Sequence, residues 1–165
     1  MALTSRFKGA KFPLGATRIA GPLVLLAAFC VFHPSKALTS ARFWLDNATG
    51  FAIGGFDPVG YYTGVTPRLG RDGYEYVWQG VAWRFASEGN LAAFKRDPEV
   101  YAPQYGGLDA VALSLHRQTP GNPRIFAVHN SKLYLFYSNR NKDAWLAMSD
   151  AERAQAEVAW KQHMR

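Results

Sequence analysis

Apolar and polar positions alternate most clearly between Tyr74 and Phe85. Tyr74, Tyr76 and Trp78 fall on one face of an extended chain, Glu75, Val77 and Gln79 on the other, and after Gln79-Gly80 the pattern returns with Val81, Trp83 and Phe85. Strand side chains alternate with period two, so two such runs joined by a glycine-containing pair predict a β-hairpin. Ile125 to Val128 and Leu133 to Tyr137 flank Asn130-Ser131 in the same manner, with Phe126 and Val128 facing one way and Leu133, Leu135 and Tyr137 forming one row. Two hairpins suffice for one small antiparallel sheet.

Between and after these runs the period lengthens. Ser87 is placed to cap a helix over residues 88–96, where Leu91 and Phe94 recur at helical spacing before Asp97-Pro98 ends it and opens a further turn. The apolar stretch Leu108 to Leu115 suits a helix that Pro120, Gly121 and Pro123 close. Ser149-Asp150-Ala151-Glu152 is a capping box ahead of Ala154, Val158, Ala159 and Trp160, and it predicts a terminal helix. Residues 38–54 read as an ordered lead-in pinned by aromatic residues, and no internal repeat is expected. The order of elements describes an α+β domain with helices packed on an antiparallel sheet.

Residues 1–37 stand apart from this pattern. A basic start from Arg6 to Arg18 precedes the uncharged apolar run Ile19 to Phe32 and then Pro34-Ser35-Lys36-Ala37. That is the grammar of a secretory signal cleaved before Leu38. The competing reading is an uncleaved inner-membrane anchor, with Arg42-Phe43-Trp44 at the interface, although the run is shorter than the ~20 residues that span hydrocarbon. Three parts are therefore expected: signal or anchor (1–37), lead-in (38–54) and a domain over 55–165. Cys30 is the only cysteine, so cleavage leaves no disulfide, thiolate metal site or cysteine nucleophile.

The charge divides along the same line. Of 19 Lys and Arg against 12 Asp and Glu, five basic residues and no acidic one precede Leu38, so the remainder is nearly neutral. A nucleic-acid binder needs clustered basic side chains, and only the short pairs Lys95-Arg96 and the split Arg140 and Lys142 stand there. With 48% apolar residues and abundant aromatics the chain is neither disordered nor polytopic.

Three segments together carry a family resemblance: Phe56-Asp57-Pro58-Val59-Gly60-Tyr61-Tyr62, Trp83-Arg84-Phe85-Ala86-Ser87-Glu88-Gly89-Asn90-Leu91-Ala92-Ala93-Phe94, and Asp97-Pro98-Glu99-Val100-Tyr101-Ala102-Pro103-Gln104-Tyr105-Gly106-Gly107. As an ordered set, with Lys132-Leu133-Tyr134-Leu135 and Trp145 following, they resemble the exported, stand-alone bacterial branch of the YHS-domain family over roughly residues 55–160. The resemblance implies a small α+β domain related to treble-clef-like metal-binding modules, working in the periplasm or secreted. Metal-binding relatives carry cysteines just after the Asp-Pro-Val motif and on both sides of the Ser-Glu-Gly turn, where this chain has Gly60, Ala86 and Asn90. The exported branch often carries a further cysteine after Tyr-Gly-Gly and one more residue, where this chain has Leu108 and then Asp109. Soft-metal and four-cysteine zinc sites need sulfur that these positions lack.

The candidate site is an aromatic cleft. Asp57, Tyr61, Tyr62, Trp83, Tyr101 and Tyr105 gather at the motif positions, and their rings and hydroxyls suit capture of a small ligand or a peptide segment. The competing reading is that the rings are core and Asp57 caps a turn. A metal site rebuilt from Asp109, His116 and His129 is the alternative, although a regular helix holds Asp109 and His116 ~10.5 Å apart. No nucleophile stands beside a base in any recognisable motif, and no cofactor is implied. The expectation is a non-catalytic exported accessory module that contacts a partner protein or small ligand, with metal handling through His and carboxylate as the alternative.

Overall fold

The computed structural model describes residues 42–64 and 66–165. The expected signal or anchor, its cleavage site, Cys30 and the start of the lead-in lie outside the described residues. Among the described residues, no helix is long and apolar enough to cross a membrane.

Both hairpins form where the alternation predicts them. β1 (Glu75–Trp78) pairs antiparallel with β2 (Val81–Arg84), and β3 (Asn122–His129) with β4 (Lys132–Phe136). Each two-residue turn needs left-handed backbone at both positions, which Gln79 and Gly80 supply at φ 52° and 76° and Asn130 and Ser131 at 49° and 57°. The expected single sheet is corrected to two separate two-stranded sheets. The hairpins meet through side chains, because Leu133 and Leu135 of β4 share an apolar cluster with Val81 and Trp83 of β2. The row Leu133, Leu135, Tyr137 is also corrected. The strand ends at Phe136, which is buried in a second cluster, while Tyr137 is 64% exposed.

Short helices fill the remainder: α1 (Gly60–Thr63), α2 (Glu88–Arg96), α3 (Pro98–Tyr101), α4 (Ala110–Ser114), α5 (Asn139–Ala147) and α6 (Asp150–His163). Ser87 caps α2 by accepting from the Asn90 amide at 3.2 Å, and the Ser149–Glu152 capping box opens α6 as expected. The helix expected over 108–115 is trimmed at both ends. The Asp109 side chain caps α4 from outside it, and His116 is left-handed at φ 57°. α5 was not expected, since its sequence is polar apart from Trp145 and its neighbours.

The elements fall into one module used twice, at an offset of 51 or 52 residues. Ile53-Gly54-Gly55 and Tyr105-Gly106-Gly107 are each left-handed throughout. The amides of Asp57 and Asp109 then donate to Arg68 and Thr119 carbonyls, both at 2.8 Å, and those of Gly70 and Gly121 to Gly55 and Gly107, both at 2.9 Å. α1, β1, β2 and α2 correspond to α4, β3, β4 and α5, with Ser87 and Ser138 capping the second helix of each. α3 and α6 begin at equivalent places, but α3 ends after one turn while α6 runs for 14 residues over α4.

Each module has its own aromatic centre. In the first, Trp83 packs against Phe43 and Phe94 with centroids 5.1 Å away in both cases, and Trp78 adds to the cluster. In the second, Trp145 lies 4.4 Å from Tyr134 and 5.5 Å from Phe136. β4 runs between the two clusters and is buried on both faces.

Candidate functional site

Asp57 and Asp109 are the two fully buried acidic side chains among the described residues, and the repeat explains both. Burying a carboxylate is costly unless donors surround it. Asp57 Oδ1 accepts from the Val59 and Gly60 amides at 2.9 and 3.4 Å, and Oδ2 from the Ala86 amide at 2.9 Å and Asn90 Nδ2 at 2.5 Å. Asp109 Oδ1 accepts from the Ala112 amide at 2.7 Å, and Oδ2 from the Tyr137 amide at 2.6 Å and Asn141 Nδ2 at 2.9 Å. Each carboxylate ties the start of its module to the helix after its hairpin. Asp57 does cap a turn, but it also reaches across the fold to Ala86 and Asn90.

The expected aromatic cleft is dispersed by the fold. Trp83 is fully buried, with its indole N–H donating to the Trp78 carbonyl at 3.3 Å. Tyr61 is buried edge-on to Phe126, and its hydroxyl donates to the Pro123 carbonyl at 2.7 Å. Burial pushes that hydroxyl well above the usual tyrosine range, and the Asp57 charge adds to the effect. Tyr62 and Tyr101 meet edge to face at 5.6 Å, with the Tyr62 hydroxyl donating to the Val100 carbonyl at 2.8 Å. Burial raises Tyr62 to about 12. Tyr105 is the member of the set that walls open cavities.

Two such cavities flank the Arg42-Phe43 segment. This stretch is fixed by the Trp44 amide, which donates to the Gly106 carbonyl at 2.7 Å, and by Phe43, which is buried against Trp78 and Trp83. The first cavity, about 340 Å³, is walled by Phe43, Trp44, Tyr105 and Trp160, with Arg42, Gln118 and His163 among its polar groups. Trp160 and His163 come from the last turns of α6, and Gln118 Nε2 lies 2.8 Å from His163 Nδ1. The second, about 220 Å³, shares Arg42, Tyr105 and Trp160 but carries Glu99 and Glu157. Burial holds the Tyr105 phenol above its ordinary range.

Sequence reading missed Trp44, Trp160, His163 and Gln118. Arg42-Phe43-Trp44 stood out only as an interfacial motif, and Trp160 only as a position in the terminal helix. No local pattern joins residues 44, 105 and 160, which meet only because the second module carries a long final helix.

The three residues considered for a metal do not gather. Asp109 is buried with both oxygens engaged, and His116 is exposed beyond the end of α4. His129 lies edge-on to Trp145 at 5.4 Å, with Nε2 3.4 Å from Arg153 Nη1. Among the described residues, no group of three or more His, Cys, Asp or Glu is placed to hold a metal ion.

Comparison with family models, with curated proteins and with solved structures found no match.

Proposed function

We propose that this chain is an exported, non-catalytic YHS-like accessory module that captures a small ligand in the cavity between Trp44, Tyr105 and Trp160. The observation that carries this reading is the cavity itself: flat rings and a few convergent polar groups around about 340 Å³, the usual character of a small-molecule site. The repeat adds support, because it separates what the module needs from what it does not. Asp57 and Asp109, Ser87 and Ser138, and Asn90 and Asn141 recur at equivalent places and hold the fold. Tyr105 stands where the first module has Ile53, and Trp160 lies on the part of α6 that extends beyond the single turn of α3.

The YHS-like reading draws on a second observation. Gly60, Ala86 and Asn90, the positions where metal-binding relatives carry cysteines, all donate to the Asp57 carboxylate. At Gly60 and Ala86 the donor is the backbone amide, so Asn90 is the one of the three whose side chain takes part. The non-catalytic reading rests on the sequence, in which no nucleophile stands beside a base in a recognisable motif. Export to the periplasm rests on the pattern of residues 1–37.

A thermal-shift screen of small metabolites tests the proposal, because a ligand that binds only the folded state raises its stability by mass action. The expected result is a compound that stabilises the wild-type chain and fails to stabilise Trp44→Ala, whose side chain is 42% exposed and peripheral to the core. Equal stabilisation of both proteins, or none across the screen, would count against the cavity.

A further inference from the structure

The two cavities beside Arg42-Phe43 differ in charge. Arg42 lines both; His163 belongs to the first, which has no aspartate or glutamate in its walls, whereas Glu99 and Glu157 belong to the second. Resting on the ligand-capture reading above, we infer that the first cavity takes a planar aromatic or heteroaromatic carboxylate, held between ring faces with its anionic group on Arg42.

Three features select that class. Trp44, Tyr105 and Trp160 line the cavity, and the rings of Tyr105 and Trp160 stand at 63° with centroids 6.3 Å apart. Such walls favour a flat ligand that can stack on one ring and meet another edge-on. The volume, about 340 Å³, lies at the small end of ligand sites and suits one or two fused rings. The third feature is the state of Arg42. Its Nη1 lies 3.6 Å from Glu99 Oε1, and the two side chains are 45% and 75% exposed. An exposed pair of this kind holds its partners weakly. A carboxylate arriving in the cavity can therefore take the guanidinium in a paired, charge-assisted geometry. Gln118 and Asn47 add neutral polar groups to the same lining and no opposing charge.

The test is an NMR titration of the full chain with three probes of one shape: 2-naphthoate, neutral 2-naphthamide and cationic 2-naphthylmethylamine. The indole N–H signals of Trp44 and Trp160 report occupancy, and the dispersion of the other amides reports folding. The inference predicts that 2-naphthoate binds at least about tenfold more tightly than 2-naphthamide, the scale of one charge-assisted hydrogen bond. Arg42→Gln should abolish that preference without altering amide dispersion, and Glu99→Gln should strengthen 2-naphthoate binding by releasing Arg42. Equal binding of 2-naphthoate and 2-naphthamide, a preference for the amine, or persistence of the preference in Arg42→Gln would overturn the anionic assignment and leave ligand capture standing. Absence of any shift at Trp44 and Trp160 with all three probes would overturn both.

Discussion

Asp57 and Asp109 show what a single residue does in this fold. Each buried oxygen is matched to amide or carboxamide donors, so truncation leaves donors buried without a partner, at about 1–3 kcal/mol for each. Asp57→Ala and Asp109→Ala should both lose several times the stability lost in Asn90→Ala, which removes one donor and keeps the carboxylate's others; urea denaturation measures the difference. Trp83→Ala should cost about 3–5 kcal/mol, as expected for a fully buried ring with a bonded indole. Trp145 is equally buried, yet its indole N–H finds no partner among the described residues. The first module has Phe94 at the equivalent place, so Trp145→Phe should cost less than Trp83→Phe in the same assay. Tyr62 gives the residue scale a pH signature. Burial raises it from 10.0 to about 12, so the unfolded chain ionises first and the contribution, complete below 10.0, is lost as pH climbs through about 12. Stability measured over that window should fall with rising pH, with Tyr61 and Tyr105 contributing in the same direction, and Tyr62→Phe should lessen the fall.

At the scale of elements, the hairpins, α2 and α6 were legible because each has a local cause: period-two alternation, a left-handed turn pair, or a serine cap. α5 was hidden by its polar sequence, since one buried tryptophan does not make an apolar stripe. The repeat was hidden for a related reason. Its equivalent apolar positions hold different residues, such as Trp83 and Tyr134 or Phe94 and Trp145, while its shared residues are the aspartates, serines, asparagines and glycines that hydrophobic patterning ignores. The candidate cavity was legible only at Tyr105, because its other walls come from distant segments. Gly54 and Gly106 expose the difference between the modules experimentally. Both are left-handed at φ near 60°, but a methyl group on Gly106 would strike the Arg42 carbonyl, whereas one on Gly54 would find its nearest atoms at 3.9 Å. Backbone strain is therefore similar, and Gly106→Ala should be the more destabilising of the two by thermal denaturation. It should also displace the Arg42–Trp44 segment and weaken ligand capture, which Gly54→Ala should spare.

For the described residues as a whole, the duplicated module accounts for most of the chain, and the additions to it account for the cavity. Arg42 to Leu45 cross the second module at Gly106, and α6 extends past the point where α3 stops. Between them these additions leave an open space walled by aromatic rings beside a loosely paired arginine. The protein's own cellular contents test this division between scaffold and site. Wild-type and Trp44→Ala chains would be isolated gently from the native host and their native mass spectra compared. The wild-type protein should retain a small organic anion that Trp44→Ala lacks, with both proteins folded. The same ligand state in the two, either both free of ligand or both carrying the same one, would contradict it.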